Sequence, residues 1–251
     1  MPNGKLFLVP APLDFGTGTA ESLSGVLPDR TLLAASCITQ WICENAKSAR
    51  AYLKRIHDVH PLALALQEQS IVELPREVHK KGDHSGEFNA RPLLAAAQNG
   101  QDMGLLSEAG MPAVADPGSS VVRAAHDLGI EVVPLVGPVS LLLALAASGL
   151  NGQNFAFVGY LPQDAAQRAQ RIRELEGLAL KGQTQLFIET PYRNVALWDA
   201  LLKTLQPQTR LAVASALTLR SEITRSRAVK AWRGSACHVA NDTPAVFLIG
   251  R

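Results

Sequence analysis

The sequence contains little cysteine, and its thiols follow no structural pattern. Cys37, Cys43 and Cys237 are the only cysteines in 251 residues, and none of them belongs to a C-x-x-C pair. An odd, widely spaced set of thiols excludes a disulfide framework and gives no zinc-finger spacing. The segment MPNGKLFLVP also lacks the basic start, apolar core and cleavage site of a secretory signal. We therefore expect a cytoplasmic protein with three reduced thiols.

Several motifs that identify common enzyme classes are missing as well. The sequence has no Walker loop, no G-x-S-x-G elbow and no H-E-x-x-H pair. Its loop FGTGTAE, residues 15–21, lacks the third glycine of a dinucleotide-binding fold. The run TLLAASC, residues 31–37, ends without the acidic residue that would bind a ribose. Binding of NAD is therefore weakly supported.

Two histidine pairs remain as candidate metal ligands, His57 with His60 and His79 with His84. Neither pair has an acidic or thiol partner at the spacing that metal sites use. Isolated histidines usually pack or form hydrogen bonds, so we predict no metal site.

One long apolar run has the composition of a membrane helix. Residues 132–150, VVPLVGPVSLLLALAASGL, carry no charge and approach the ~20 apolar residues that span a bilayer. Pro134, Gly137 and Pro138 interrupt this run. These breakers divide it into a strand, EVVPLV, a turn and a short buried helix, SLLLALAASG, so we predict no membrane segment.

The order of apolar and amphipathic segments predicts an α/β protein with two domains. In residues 1–137, the apolar runs KLFLVP, TLLAASC, MGLL and EVVPLV alternate with helical patterns such as WICENAKSARAYLKRIHDV. Such alternation is typical of a mostly parallel sheet covered by helices on both faces. In residues 138–251, two helical patterns lie among FAFVGY, QLFIET, RLAVAS, EITRSRAV and PAVFLIG, which favours a mixed sheet. We expect a ligand cleft between the two domains.

Charge is shared unevenly between the two predicted domains. Residues 1–137 hold 11 Lys/Arg against 15 Asp/Glu, whereas residues 138–251 hold 13 against 7. The second half concentrates its basic residues in two clusters: Arg168, Arg171 and Arg173, and Arg220, Arg225, Arg227, Lys230 and Arg233. A basic domain attracts an anionic partner such as RNA or a carboxylate-rich molecule. A solvated helix face and a charge-protected edge strand would give the same composition, and the sequence leaves both interpretations open.

Loops rich in proline and small residues follow four of the predicted strands. They are VPAPL after KLFL, SEAGMPAVADPG after MGLL, VGPVS after VVPL, and ETPYRN after QLFI. Ligands of α/β sheets bind beyond the carboxyl ends of the strands, so we expect these loops to gather at one edge. Together they predict a pocket lined by backbone groups, suited to a nucleoside-like ligand with an amino-acid tail.

These segments, in this order, resemble the consecutive motifs of the tetrapyrrole methylase superfamily. LLSEAGMPAVADPG, GIEVVPLVGPVSLLLALAASGL, FVGYLP, FIETPYRN and PAVFLIG are similar to motifs of its branch of ribosomal RNA cytidine 2′-O-methyltransferases. The segment ENAKSAR, residues 44–50, is more loosely similar to that branch's EDTRxSR. The resemblance covers most of the chain from Leu105. It implies a homodimer in which two α/β domains hold S-adenosylmethionine, the methyl donor, between them.

The resemblance also implies which residues form the site. The residues expected to bind the donor are Pro10, Ser107, Gly110, Met111, Pro112, Ala113, Val114, Ser140, Thr190, Pro191, Pro244 and Ala245. The candidates for a catalytic base are Glu44, His84 and Glu189. The candidates for binding the acceptor are Lys47, Arg50, Tyr192 and Arg193. The glycine of the SEAGMPAV loop would permit close backbone approach, and its proline would reduce the ordering cost of binding.

Two departures from that branch leave the acceptor open. PAPLDFGTGTA stands where the branch has ATPIGNLEDIT, and Tyr192 stands where its EAPHR motif has histidine. The sequence therefore supports three functions. The first is methylation of RNA, at a ribose 2′-hydroxyl of ribosomal RNA; the second is methylation of a tetrapyrrole or another small acidic acceptor. The third is binding of S-adenosylmethionine without transfer of its methyl group.

Overall fold

Two five-stranded sheets organise the chain in the computed structural model. The structure describes residues 2–14, 21–81, 83, 88–235, 237 and 239–251, and only the backbone of residues 79–81. The predicted glycine loop at 15–20 and the candidate base His84 lie outside the described residues. By its internal contacts the chain divides into two units, Met1–Val139 and Ser140–Arg251. Each unit contains one of the sheets.

The described part of the N-terminal unit alternates strands and helices. Its strands are β1 (Leu6–Val9), β2 (Gln40–Cys43), β3 (Ser70–Glu73), β4 (Met103–Leu106) and β5 (Val132–Pro134). Its helices are α1 (Leu23–Val26), α2 (Asp29–Cys37), α3 (Ala46–His57), α4 (Arg76–Lys81), α5 (Ala95–Gln98) and α6 (Ser119–Asp127), with 3-10 turns at Leu66–Glu68 and Arg91–Leu94. The strands lie in the order β3-β2-β4-β1-β5, and all neighbours are parallel, which confirms the predicted sheet type.

Strand β4 lies at the centre of this sheet and is buried on both faces. Its residues alternate between two apolar clusters, one containing Leu106 and Trp41 and the other Leu105 and Ile42. The near-continuous apolar run MGLL is therefore accounted for by helices on both sides. Gly104 is required at this position, because a Cβ there would lie 2.5 Å from Cζ3 of Trp41.

The prediction of a strand at TLLAASC is wrong. These residues belong to α2, and the strand is QWIC, β2, whose last three residues begin the segment predicted as a helix. The buried residues of α2 include Thr31, Leu32 and Ala35, at helical spacing. A short apolar run fits either a buried strand or a buried helix, so its periodicity could not decide between them. The helical part of the predicted segment begins at Ala46, after Asn45.

The described part of the C-terminal unit combines a mixed sheet with four helices. Its helices are α7 (Ser140–Ser148), α8 (Ala165–Leu180), α9 (Asn194–Thr204) and α10 (Val229–Trp232), with a 3-10 turn at Pro191–Arg193. Its strands are β6 (Phe155–Tyr160), β7 (Thr184–Glu189), β8 (Arg210–Ser215), β9 (Ile223–Ala228) and β10 (Ala245–Gly250). They lie in the order β6-β7-β10-β8-β9; β6 and β7 are parallel and the other neighbours antiparallel. The predicted mixed sheet is confirmed.

Four aromatic rings form the centre of the C-terminal core. Phe187 of β7 stacks on Phe247 of β10 with ring centroids 6.2 Å apart, and Trp198 of α9 meets Trp232 of α10 edge-on at 4.9 Å. All four side chains are at most 1 % exposed. Large rings bury much apolar area per residue, so a few of them anchor β7, β10 and the helices that cover the sheet.

The apolar run at residues 132–150 is interrupted as predicted. Val132–Pro134 form β5, and helix α7 begins only at Ser140 and has nine residues. None of the helices in the described residues is long and apolar enough to cross a bilayer.

Candidate active site

Three of the predicted site residues lie at the carboxyl edge of the N-terminal sheet. Strands β1 and β2 both pair with β4, and both end level with Leu106. The residues that follow these three strands are Pro10, Glu44 and Ser107. Because parallel neighbours end at the same edge, the register brings together residues that are up to 97 positions apart in the sequence.

The loop after β4 is fixed by the protein itself. Ala11 N–H donates to the carbonyl of Gly110 at 2.9 Å, and Gly110 N–H donates back at 3.0 Å. The φ angle of Gly110 is +72°, and those of Ala113 and Ala115 are +64° and +63°, a region that few residues other than glycine adopt. A Cβ on Gly110 would lie 3.3 Å from Cδ2 of Leu13. Strained backbone of this kind is concentrated at binding sites, where it holds a loop ready for its ligand.

The predicted donor-binding residues of this loop differ in exposure. Gly110 and Pro112 are buried, Met111 and Ala113 are half-buried, and Val114 is exposed. Both backbone polar groups of Gly110 are used in the bridge to Ala11. Gly110 therefore shapes the loop, whereas the residues after it offer the contact surface.

Ser107 presents a buried hydroxyl at the same edge. Its side chain is 4 % exposed, and its Oγ forms no hydrogen bond with any described residue. A buried hydroxyl without a partner costs about 1–3 kcal/mol, and native structures rarely retain one without a ligand or water. Ser107 is therefore a candidate ligand contact.

A cluster of carboxylates lies beside Ser107, and sequence analysis identified only one of its members. Oε2 of Glu44 accepts the N–H of Glu108 at 3.1 Å, and Oε1 of Glu108 accepts the hydroxyl of Ser48 at 3.1 Å. Burial raises the pKa of Asp116 to about 7, and the charges of Glu44 and Glu108 add to the shift. Asp116 therefore exchanges a proton near neutral pH. Asp116 lies within the SEAGMPAVADPG loop, but sequence analysis assigned no role to its side chain.

Asp83 fixes the far end of the loop and was also missed by sequence analysis. Its Oδ2 accepts the N–H groups of Gly118 and Ser120 at 2.9 and 2.8 Å and the hydroxyl of Ser120 at 2.6 Å. Its Oδ1 accepts the hydroxyl of Ser119 at 2.7 Å. Burial alone would raise the pKa of Asp83, but these hydrogen bonds outweigh it and lower the pKa. Asp83 thus caps α6 from a distant segment, because Gly118 has no capping side chain.

The predicted acceptor-binding residues Lys47 and Arg50 lie on the first turns of α3 and are exposed. Oδ1 of Asn45 caps this helix by accepting the N–H of Lys47 at 2.9 Å, and Oε1 of Glu73 accepts the N–H of Ala46 at 2.6 Å. Lys47 and Arg50 therefore lie on a capped helix start, and Asn45 alone separates this helix from Glu44.

In the C-terminal unit, Glu189 organises the loop that contains Thr190, Tyr192 and Arg193. The Oε1 atom of Glu189 accepts the N–H and the hydroxyl of Thr190 at 2.8 and 3.2 Å, and Nη2 of Arg193 at 2.5 Å. Glu189 is 5 % exposed, whereas Tyr192 is 68 % exposed, with the guanidinium of Arg193 5.8 Å from its ring centre. These contacts give Glu189 and Arg193 the geometry of an ion pair that positions the loop.

The other predicted donor-binding residues of this unit lie in two places. Ala245, at the start of β10, pairs with Glu189, at the end of β7. The register therefore places five predicted residues at one edge of the sheet: Glu189, Thr190, Pro191, Pro244 and Ala245. Ser140 begins α7 and is half-buried.

Cys43 and His60 have structural rather than chemical surroundings. Burial raises the pKa of Cys43 to about 12, and the charge of Glu73 adds to the shift, so this thiol is unreactive. Nε2 of His60 lies 2.6 Å from Oδ1 of Asp29 in a local contact. No group of three or more His, Cys, Asp or Glu side chains in the described part of the chain is arranged to bind a metal ion.

Together these features define a class of α/β protein, with a parallel sheet whose carboxyl edge carries a strained small-residue loop, followed by a mixed sheet. The chain belongs to the family described as Tetrapyrrole (Corrin/Porphyrin) Methylases, which matches residues 26–230.

Curated relatives of the chain are named for RNA methylation. The chain is 34% identical over 214 residues to Ribosomal RNA small subunit methyltransferase I of Mesorhizobium japonicum, covering 85% of this chain and 65% of the relative. It is 29% identical to the protein of the same name from Escherichia coli O157:H7, covering 86% and 66%. The chain thus spans just under two thirds of the length of these relatives.

A solved structure supports the fold assignment. Uroporphyrin III C-methyl transferase from Thermus thermophilus superimposes with a TM-score of 0.54 at 19% identity, covering 99% of this chain and 98% of that one. At this identity the similarity establishes the fold alone.

Proposed function

We propose that this protein is an S-adenosylmethionine-dependent methyltransferase that acts on RNA, at a ribose 2′-hydroxyl of small-subunit ribosomal RNA. The observation that carries the proposal is the carboxyl edge of the N-terminal sheet, where Ser107, the loop 110–114, Glu44 and Asp116 adjoin. Membership of a methylase family supports the reaction, and the names of the relatives support the acceptor.

The residues at this edge fit S-adenosylmethionine. Its amino-acid and ribose parts need hydrogen-bonding partners, and Ser107 Oγ is a buried hydroxyl whose capacity is unused by the described residues. Met111, Pro112 and Ala113 supply apolar contacts on a loop whose conformation is already fixed, which lowers the entropic cost of binding. Thr190 and Ala245 of the C-terminal unit stay predictions as donor contacts.

The donor, when bound, supplies a methyl group on a positively charged sulfur. The chain has two tasks: to hold the acceptor oxygen about 3 Å from the reacting carbon in a water-poor site, and to accept the hydroxyl proton. An oxygen of the Asp116 carboxylate suits the second task, because a pKa of about 7 matches the working pH. Glu44 and Glu108 contribute by raising that pKa.

The three predicted bases differ in the role that we propose for each. Glu44 remains a candidate, since it lies beside Asp116 and its Oε2 holds the backbone of Glu108. For Glu189 we propose a positioning role instead, because three donors within its own loop occupy Oε1. His84 stays a prediction. Acceptor phosphates would be bound by the exposed cations Lys47 and Arg50.

The test uses purified protein, methyl-labelled S-adenosylmethionine and small ribosomal subunits from cells that lack the gene, followed by nuclease digestion. We expect a labelled 2′-O-methyl nucleoside. Label in a small acidic molecule from a cell extract, with none in RNA, would favour the tetrapyrrole-like acceptor. Donor binding in calorimetry without any labelled product would identify a non-catalytic binding protein.

We further propose that the protein works in the cytoplasm as a homodimer. The cytoplasm is where an RNA of the small ribosomal subunit would be methylated in bacteria, the source of the relatives. Helix α7 supports self-association, since Leu142 and Leu143 on this largely apolar helix are 50% and 39% exposed. Sedimentation equilibrium gives the test, with twice the chain mass of 26.8 kDa as the expected result.

A further inference from the structure

Strand β9 forms one edge of the C-terminal sheet and carries unusual charge. It pairs with β8 and has no second neighbour in the described residues. The segment 210–233, which contains both strands and α10, has six basic residues and one acidic residue, Glu222. Within β9 the sequence ITRSRA places Arg225 and Arg227 two positions apart, hence on the same face of the strand.

The register shows which face this is. Arg225 pairs with Val213 and Arg227 with Leu211, and both partners are buried in the core on the helix-covered face of the sheet. The two arginines are themselves exposed. They therefore lie where the helical cover of the sheet ends, with their charged groups toward solvent.

Arg227 is held in place by an aromatic ring. Its guanidinium lies 5.2 Å from the ring centre of Trp232, which is fully buried and donates Nε1–H to the carbonyl of Leu211 at 2.9 Å. A fixed ring under the guanidinium limits its motion without neutralising its charge. Arg227 is thus preorganised to bind an anion.

Among the described residues, three cations of this edge have no ion-pair partner. Arg225, Arg227 and Lys230 form no ion pair with any carboxylate in the described residues, whereas Arg171 on α8 pairs with Glu174 at 3.1 Å. One or two charges are enough to protect an edge strand against pairing with another strand. Charged side chains on a protein surface are usually solvated or belong to an ion pair.

We infer that β9 and the start of α10 form a phosphate-binding surface for RNA, with Arg225, Arg227 and Lys230 as its cations; the inference rests on the proposed function. Arg225 and Arg227 are about 7 Å apart along the strand, which is comparable to the separation of neighbouring phosphates in an extended nucleic-acid strand. A row of exposed cations at this spacing suits a polyanion better than a single carboxylate ligand.

The test measures binding of a short fluorescein-labelled, single-stranded fragment of small-subunit ribosomal RNA by anisotropy across a series of salt concentrations. Each lost phosphate contact lowers the salt slope by about 0.7 for single strands, so R225Q/K230Q should lower it by about 1.4 and weaken binding on the order of tenfold at about 0.1 M salt. This variant leaves the Arg227–Trp232 contact intact. R225Q/R227Q should lower the slope equally, and thermal unfolding checks that both variants fold.

The matched control is R171Q/R173Q, which removes the same charge from helix α8 of the same unit. It should leave the salt slope near that of the wild type. An unchanged salt slope of RNA binding in R225Q/K230Q would overturn the inference. An equal reduction of the slope in R171Q/R173Q would overturn it as well.

Methyl transfer to small subunits separates this inference from the proposed function. If R225Q/K230Q transfers methyl groups at the wild-type rate and binds RNA with unchanged affinity, the proposed function stands and the proposed surface is wrong. Salt-dependent RNA binding that needs Arg225 and Lys230, without any transfer, means that the surface stands and the function fails. A loss of self-association in R225Q/K230Q, with RNA binding unchanged, would assign the edge to a second copy of the chain and overturn the inference.

Discussion

At the carboxyl edge of the N-terminal sheet the charged groups are carboxylates held by neighbouring residues, whereas on β9 they are cations that face solvent. The first region has positive φ angles and two carboxyl groups with shifted pKa values. The second is a regular strand whose arginines project from its rim. Strain and burial fix atoms for chemistry, and exposed charge favours reversible binding of a large anion. The N-terminal sheet thus carries the fixed groups of the candidate site, and the C-terminal sheet carries the exposed cations.

The largest effect on donor binding is expected from filling the space at Gly110. Gly110→Val should weaken donor binding at least about tenfold, because a β-branched residue at φ +72° is strained by about 1–2 kcal/mol and its Cβ would press on Leu13. Calorimetric titration with S-adenosylmethionine measures the change.

The control for this substitution is Gly129, whose φ is +67° but around which no atom lies within 4 Å of an added Cβ. Gly110→Ala and Gly129→Ala carry similar backbone strain, yet only the first should impair donor binding. Equal donor affinity in the two variants would show that the shape of the loop does not matter.

Removing Asp83 should release the far end of the same loop. Asp83→Ala leaves the N–H groups of Gly118 and Ser120 without their acceptor, so we expect a loss of about 3 kcal/mol in the free energy of unfolding. Because the folded pKa is lowered, Asp83 stabilises the fold fully above the unfolded value of about 3.9. That stabilisation is lost as the pH falls through the folded pKa.

Urea unfolding at several pH values tests this assignment. Asp83→Asn keeps an acceptor oxygen and should cost less than Asp83→Ala, while losing the acid-dependent part of the stability. If Asp83→Ala and wild type unfold at the same urea concentration, the carboxylate does not hold α6.

Sequence patterns predicted most of the fold but only part of the site. The alternating order predicted both sheet types, and the loops predicted the edge that contains Pro10 and Ser107. Glu44 was expected only from the family resemblance. TLLAASC was assigned to the wrong element, because a short apolar run carries no periodicity that separates strand from helix.

The two aspartates show why the remaining site residues were missed. Asp116 lies in a loop that was predicted to bind through its backbone, and Asp83 lies in a polar stretch with no helical or strand pattern. Their roles depend on burial and on partners far along the chain, such as Glu44 for Asp116 and Ser120 for Asp83. Local sequence does not encode such partners, so neither role was visible before the fold was known.

The pH effect of Asp116 should have the opposite sign to that expected for Asp83, and Asp116→Asn should abolish it. A carboxyl whose folded pKa is raised makes the folded state bind more protons than the unfolded state between pH 4 and about 7. Wild-type stability should therefore fall as the pH rises through this window, and the variant should gain on the order of 1 kcal/mol relative to it at pH 8. Methyl transfer by the variant should lose its inflection near neutral pH.

Paired melts of wild type and Asp116→Asn at pH 5 and pH 8 give the measurement. If the melting temperatures of wild type and Asp116→Asn differ by the same amount at both pH values, Asp116 does not titrate in this range. Persistence of the neutral inflection in methyl transfer would assign the base to another group, with Glu44 as the next candidate.

The smallest effect tests whether glycine in the C-terminal unit is as constrained as Gly110. Gly177 lies within α8, and an added Cβ would meet no atom within 4 Å. Alanine is favoured over glycine in a helix interior by about 0.5–1 kcal/mol, so Gly177→Ala should raise the melting temperature while donor and RNA affinity stay unchanged. A loss of RNA affinity would instead show that α8 contributes to binding, and the charge on β9 would then not act alone.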